Sequence, residues 1–160
     1  MNSNVLIIKE PQDIPAQLDR TLIEHYLNTR YWTELPRLDD RGAEIKIGQN
    51  PLILSQQLDD LGARTYAFIT AWNPQSIRQD DWWNRMHNYR LELELHPHCR
   101  LLRRGRGIGQ DTDWPAEESF LALDIPLEKA VDIARMFGQY AIVGWEKGGE
   151  PVLIVLSRES

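Results

Sequence analysis

The stretch Thr65 to Ala71 (Thr-Tyr-Ala-Phe-Ile-Thr-Ala) constrains this chain more than any other. Its β-branched and aromatic residues favour a strand, and it is apolar on both faces. A strand of that kind belongs in the middle of a sheet, covered on each side. The rest of the chain must supply flanking strands and helices with apolar faces.

Those elements can be read from periodicity and caps. Residues 14–28 predict a first helix, with Leu18, Leu22 and Tyr26 at i, i+4 spacing, Asp13 as N-cap and Pro15 in the first turn. Tyr31 to Leu35 and Ala43 to Ile47 predict a hairpin turning through Asp39-Asp40-Arg41-Gly42. Asn50-Pro51 opens a second helix and Gly62 closes it, with Leu54, Leu58 and Leu61 inward. Ser76, with Gln79 three residues on, predicts a capping box for a third helix reaching about residue 94. Its apolar stripe is Trp82, Met86, Tyr89 and Leu93. A short strand near Cys99 to Leu102 precedes an irregular loop over residues 103–117. Ser119 to Leu123 reads as a strand, and Pro126 to Gly138 bounds the last helix. Tyr140 to Trp145 and Val152 to Leu156 flank Lys147-Gly148-Gly149-Glu150, the signature of a hairpin. The order predicts a single α+β domain over residues 13–158, with a mixed β-sheet, packed helices and a C-terminal β-hairpin. Residues 1–12 are expected to form a loosely ordered arm.

Size and composition agree with one self-sufficient core. The chain has 160 residues, 42% of them hydrophobic, and a domain of that size needs no disulfide or metal to fold. The single cysteine, Cys99, suits a reducing compartment. No apolar run approaches the length of a membrane span and no leader pattern is read, so a cytoplasmic location is expected. The net charge of −6 disfavours general nucleic-acid binding. Residues 85–106 nevertheless carry +4, which leaves −10 on the remainder. A local basic patch can therefore act within an acidic protein.

Several groups could carry chemistry. Thr70, Asn73 and Ser76 stand where the central strand runs towards a helix, a place where ligands often bind; turn formation and capping explain the same residues. Arg103-Arg104-Gly105-Arg106-Gly107-Ile108-Gly109 could cradle a phosphate through backbone N–H groups and arginine forks, or form a solvated surface loop. Its glycine spacing is neither a Walker loop nor a dinucleotide fingerprint. His96, His98 and Cys99, even with His87, fit no common zinc pattern, so neither a metal nor a cofactor is expected. Glu117 and Glu118 lie beside a strand start, where they could serve a general acid or simply an exposed edge. Of the six tryptophans, Trp72, Trp82, Trp83, Trp114 and Trp145 could line a cleft or fill the core.

Read in order, Phe68-Ile69-Thr70-Ala71-Trp72-Asn73-Pro74, Asn84, Leu91, Gly105, Trp114, Glu118-Ser119, Phe137-Gly138-Gln139 and Ala141-Ile142-Val143 form a set of landmarks. The set resembles the bacterial domain of unknown function 3293 family over roughly residues 64–156. The resemblance implies no activity. It implies that Thr70, Asn73, Glu118, Ser119 and Gln139 are the family-like polar positions and candidate ligand-binding residues. Trp72 and the arginines before Gly105 depart from the pattern and favour a nucleotide-like ligand.

The leading expectation is therefore a binding module for a small anionic ligand, with Arg103, Arg104 and Arg106 supplying charge. One alternative is a hydrolase or nuclease-like enzyme using Glu118 and Asn73. Another is a protein-interaction domain that presents its aromatics. Sequence alone leaves the oligomeric state open.

Overall fold

The computed structural model describes residues 5–37, 41–111 and 114–156. In chain order its elements are β1 (Val5–Ile8), α1 (Arg20–Leu27), β2 (Arg30–Glu34), β3 (Gly42–Ile45), α2 (Leu52–Leu61) and β4 (Thr65–Ile69). There follow α3 (Asp81–Leu95), β5 (Leu101–Ile108), β6 (Glu117–Leu123), α4 (Leu127–Met136), β7 (Ala141–Glu146) and β8 (Val152–Leu156). The strands form one sheet in the order β1-β8-β7-β4-β6-β5-β2-β3. β4 is central, as its two-sided apolar sequence requires.

The α+β class holds, yet all described strand pairs are antiparallel. Alternating strands and helices predict a mixed sheet. The topology explains the difference. Helix α3 connects β4 to β5, and α4 connects β6 to β7, so each crossover joins strands running the same way. In each case another strand is inserted between the two: β6 lies between β4 and β5, and β4 between β6 and β7. The β4-α3-β5-β6-α4-β7 segment is thus a split βαβ, or ferredoxin-like, arrangement. β8 and β1 extend it on one side, β2 and β3 on the other.

Side-chain alternation along β4 divides the core. Ala67 and Ile69 pack with Leu91 and Leu95 of α3 and with Ala130, Ile133 and Ala134 of α4. Tyr66 and Phe68 face the other way, against Leu54 and Leu58 of α2. Ile23 of α1 covers Leu153 and Val155 on that second side. Both sheet faces are therefore buried, and the site described below lies on the α1/α2 face.

Several boundaries differ from expectation for identifiable reasons. The first helix begins at Arg20, because the Asp19 carboxylate accepts the Leu22 N–H at 3.1 Å and caps it there. Asp13 instead closes a short 3-10 turn, accepting the backbone N–H groups of Lys9 and Glu10. Val5–Ile8, expected within a loose arm, pair with Leu153–Leu156 as an edge strand. Asn50 does not cap α2; it accepts the Tyr66 hydroxyl at 2.6 Å, while Gly62 ends the helix at φ +63°. The β2–β3 hairpin forms, but Asp39 and Asp40 of its expected turn lie outside the described residues. The C-terminal hairpin pairs Ala141–Gly144 with Val152–Val155, and Gly148 takes φ +89° in its turn. Among the described residues no helix is long and apolar enough to cross a membrane.

Candidate functional site

The site is built where β4 stops. Beyond Ile69 the backbone leaves the sheet, and its N–H groups need new acceptors. Helix α3 provides them with two buried asparagines one turn apart. Asn88 Oδ1 accepts the Ala71 N–H at 3.0 Å, and Asn84 Oδ1 accepts the Asn73 N–H at 2.9 Å. Asn88 Nδ2 also donates to the Glu118 carbonyl, and Asn84 Nδ2 to Asn73 Oδ1. These bonds explain why α3 turns Asn84, Asn88, Leu91 and Leu95 inward. The aromatic stripe expected to face the core is outside: Trp82 and Tyr89 are each 61% exposed.

The connection into α3 is tightly turned. Asn73, Gln75 and Ser76 all have positive φ, between 45° and 61°, a conformation that costs non-glycine residues energy and needs support. Support comes from several sides. Asn73 Oδ1 accepts the Gln79 N–H at 2.9 Å, and Gln75 Nε2 donates to the Gly138 carbonyl at 2.6 Å. Ser76 Oγ and the Tyr26 hydroxyl are 2.7 Å apart. The expected Ser76–Gln79 capping box is therefore absent. Ser76 lies in a 3-10 turn, and α3 starts at Asp81 with Asp80 at the N-cap position.

Removing either asparagine should loosen this wall. Asn84→Leu leaves the buried Asn73 N–H without its acceptor, and Asn88→Leu does the same to Ala71. Each should lower unfolding free energy by about 1–3 kcal/mol, measured by urea denaturation. Stability unchanged in both variants would contradict the assigned role.

Next to this wall lies a cavity of about 60 Å³ on the α1/α2 face. Tyr26, Tyr31, Phe68, Trp72 and Trp114 give it aromatic sides. Thr70, Asn73, Ser119 and Gln139 contribute polar groups, and Gly107 and Gly109 leave room along β5 and beyond it. Many of the polar atoms are already engaged. Thr70 Oγ1 donates to the Glu118 carbonyl and accepts the Trp72 N–H; Gln139 Nε2 donates to the Trp72 carbonyl; Ser119 Oγ donates to the Glu117 carbonyl.

Glu117 is the carboxylate of the cavity. Burial pushes its pKa up to about 7, against a smaller opposing effect of its hydrogen bond with Trp114. Burial likewise pushes the Tyr26 hydroxyl up to about 12; the Ser76 bond opposes this, and Glu117 and Tyr140 add to it. Tyr31 is raised further, also by burial. Among the described residues of the lining, His25 is the remaining titratable side chain, and none is a lysine or arginine.

The structure thus brings Thr70, Asn73, Ser119 and Gln139 to one cavity and sends Glu118 elsewhere. Strand alternation is the reason: Glu117 and Ser119 share a face of β6, whereas Glu118 points to the α3/α4 face. Tyr26 and His25, from α1, carried no local signal of a site.

The glycine-arginine segment is not a loop. Arg103–Ile108 lie in β5, paired with β2 on one side and β6 on the other. Pairing with two neighbours overrides the poor strand propensity of glycine. The three arginines are consequently divided. Arg103 donates to the Leu35, Pro36 and Leu102 carbonyls. Arg106 lies over the Trp32 ring at 4.8 Å, and the Arg104 N–H donates to Glu34 Oε1. Arg104 and Arg106 border a broad depression of about 620 Å³ on the opposite face from the cavity, whose lining carries three arginines, with Arg85, and three glutamates, Glu34, Glu92 and Glu118.

The tryptophans are also dispersed. Trp72 and Trp114 line the cavity, Trp145 stacks on Tyr66 in the core, and Trp83 stacks on His87 with centroids 3.5 Å apart. His87 Nδ1 is 2.8 Å from the Trp83 carbonyl. Among the described residues no three His, Cys, Asp or Glu side chains converge on a metal site.

Residues 69–142 match a family model described as Protein of unknown function (DUF3293), and the chain resembles that family over this stretch. The match runs from the end of β4 into β7 and contains Thr70, Asn73, Glu117, Glu118, Ser119 and Gln139. Tyr26 and His25 lie outside it. No curated protein and no solved structure matches the chain.

Proposed function

We propose that this chain is a small-ligand binding module whose cavity takes a compact cationic group, with Glu117 as its counter-charge. The observation that supports this reading is a half-buried carboxyl among aromatic walls, with no lysine or arginine among the described residues that line the cavity. Aromatic faces and a carboxylate together are the chemistry that holds ammonium and quaternary ammonium groups. The arginines that favoured an anion in the sequence lie on β5, outside the cavity lining. The volume of about 60 Å³ suits a headgroup rather than a whole nucleotide, since drug-sized ligands occupy several hundred Å³.

The charge of the ligand fixes the sign of the pH dependence. A cation favours ionised Glu117, so binding strengthens as pH rises through about 7. From pH 6 to pH 8 the gain should be about tenfold. An anion needs the protonated form and shows the reverse. Calorimetric titration with methylammonium, tetramethylammonium, acetate and adenosine monophosphate at both pH values tests this. At least one ammonium probe should bind, more tightly at pH 8, and lose its affinity in Glu117→Gln. If neither ammonium binds, or if only the anions bind, the assignment is overturned.

A further inference from the structure

We propose that the outer face of α3 is a dimer interface, on which a second copy of this chain packs its own α3 antiparallel. Four large side chains stand on that face: Trp82, Met86, Tyr89 and Leu93, all between 45% and 61% exposed. Their spacings of four, three and four residues follow the heptad seam, which presents one continuous apolar edge to a partner helix. The buried edge of α3, Asn84, Asn88, Leu91 and Leu95, is directly opposite, and the four side chains of the seam stand exposed.

The flanking charges identify the partner as a second copy and set its direction. Along one flank of the seam lie Arg85 and, seven residues later, Glu92; along the other lies Arg90. In an antiparallel pair like flanks meet, with Tyr89 of each copy level with Met86 of the other. Arg85 then faces the second copy's Glu92, and Glu92 faces its Arg85, giving two symmetric ion pairs. A parallel pair would instead bring Arg85 opposite Arg90 of the other copy. The charges therefore favour the antiparallel arrangement and disfavour the parallel one.

The exposed parts of the four side chains amount to roughly 400 Å² per copy, and the arginine and glutamate stems add to this. Counted over both copies, this places the contact among the small, transient interfaces below about 1,200 Å². The contact is two-fold and closes on itself, so it yields dimers and not filaments.

The test is sedimentation velocity of the full chain across a concentration series spanning micromolar values. Wild type should pass from monomer to dimer. Met86→Glu with Tyr89→Glu should remain monomeric with an unchanged circular dichroism spectrum, because both positions are exposed. Arg85→Glu alone should weaken the dimer about tenfold, and adding Glu92→Arg to the same chain should restore it. A chain that stays monomeric at every concentration overturns the proposal. So does a dimer indifferent to Tyr89→Glu, or one that the paired charge exchange does not rescue.

Discussion

Gly105→Ala should lower the unfolding free energy by about 3 kcal/mol, the cost of forcing an extra atom into a packed interior. A Cβ at this position would overlap the Trp32 carbonyl oxygen on the neighbouring strand and lie 2.7 Å from Phe68 Cε2. Neither neighbour can yield easily. The Trp32 carbonyl belongs to the β2–β5 pairing, in which Thr33 sits opposite Gly105. Phe68 is buried and held edge-on against Tyr31, with ring centroids 5.4 Å apart. Gly107, two residues along the same strand, provides the control. A Cβ there would meet only Thr29 Cγ2 at an ordinary 3.7 Å, so Gly107→Ala should change stability by less than about 0.5 kcal/mol. Urea unfolding of both variants at matched m-values makes the comparison. Equal stability of the two would contradict a packing role for Gly105 and reopen the backbone of β5 as a ligand cradle.

Glu117→Gln should act in the opposite direction, with an effect that depends on pH. Folding raises the carboxyl from its ordinary 4.5 to about 7. Between those values the folded chain holds a proton that the unfolded chain has released. Stability therefore falls as pH rises across this interval. The contribution is fully present below about pH 4.5 and lost above about pH 7, a total of about 3 kcal/mol. Glutamine keeps the shape and removes the ionisation. Relative to wild type, the variant should gain stability steadily from about pH 4.5 upward, by up to that amount at pH 8. Chemical denaturation of both proteins from pH 5 to 8.5, read as a difference, isolates Glu117 from other titrating groups. A difference that does not change with pH would mean that the carboxyl is hydrated and the cavity is not a desolvated site.

Much of the fold was legible because its signals were local. β4 declared itself by apolar residues on both faces, α2 by Gly62, and the C-terminal hairpin by Gly148-Gly149 between β-rich runs. Two larger errors arose where distant contacts overruled local preference. In α3 the rule that apolar residues face inward failed because the backbone leaving β4 needs amide acceptors more than it needs hydrocarbon. Asn84 and Asn88 fill that need, and Trp82 and Tyr89 are left outside. In β5 two glycines and three arginines read as a loop, yet the strand is clamped between β2 and β6, and Gly105 is the residue that permits close approach. Of the expected site residues, Thr70, Asn73, Ser119 and Gln139 line one cavity, whereas Glu118 lies on the other face of the sheet from its neighbour Glu117. A one-residue step along a strand exchanges the two faces of a sheet, which is why these adjacent carboxylates of β6 are separated. The α1 contribution, Tyr26 above all, depends on a helix packing across the sheet from a segment about fifty residues away from Ser76, and no spacing rule reports such a contact.

The proposed ligand binding requires Glu117 to be a desolvated carboxyl that faces the ligand. It is tested most directly by following the Glu117 side-chain carboxyl carbon by NMR from pH 4 to 9, with and without tetramethylammonium. A midpoint near 7 is expected in the free protein and a lower one when the cation is present, because a bound positive charge favours the ionised form. A midpoint near the ordinary 4.5 in the free protein, or one that the cation leaves unmoved, would contradict it.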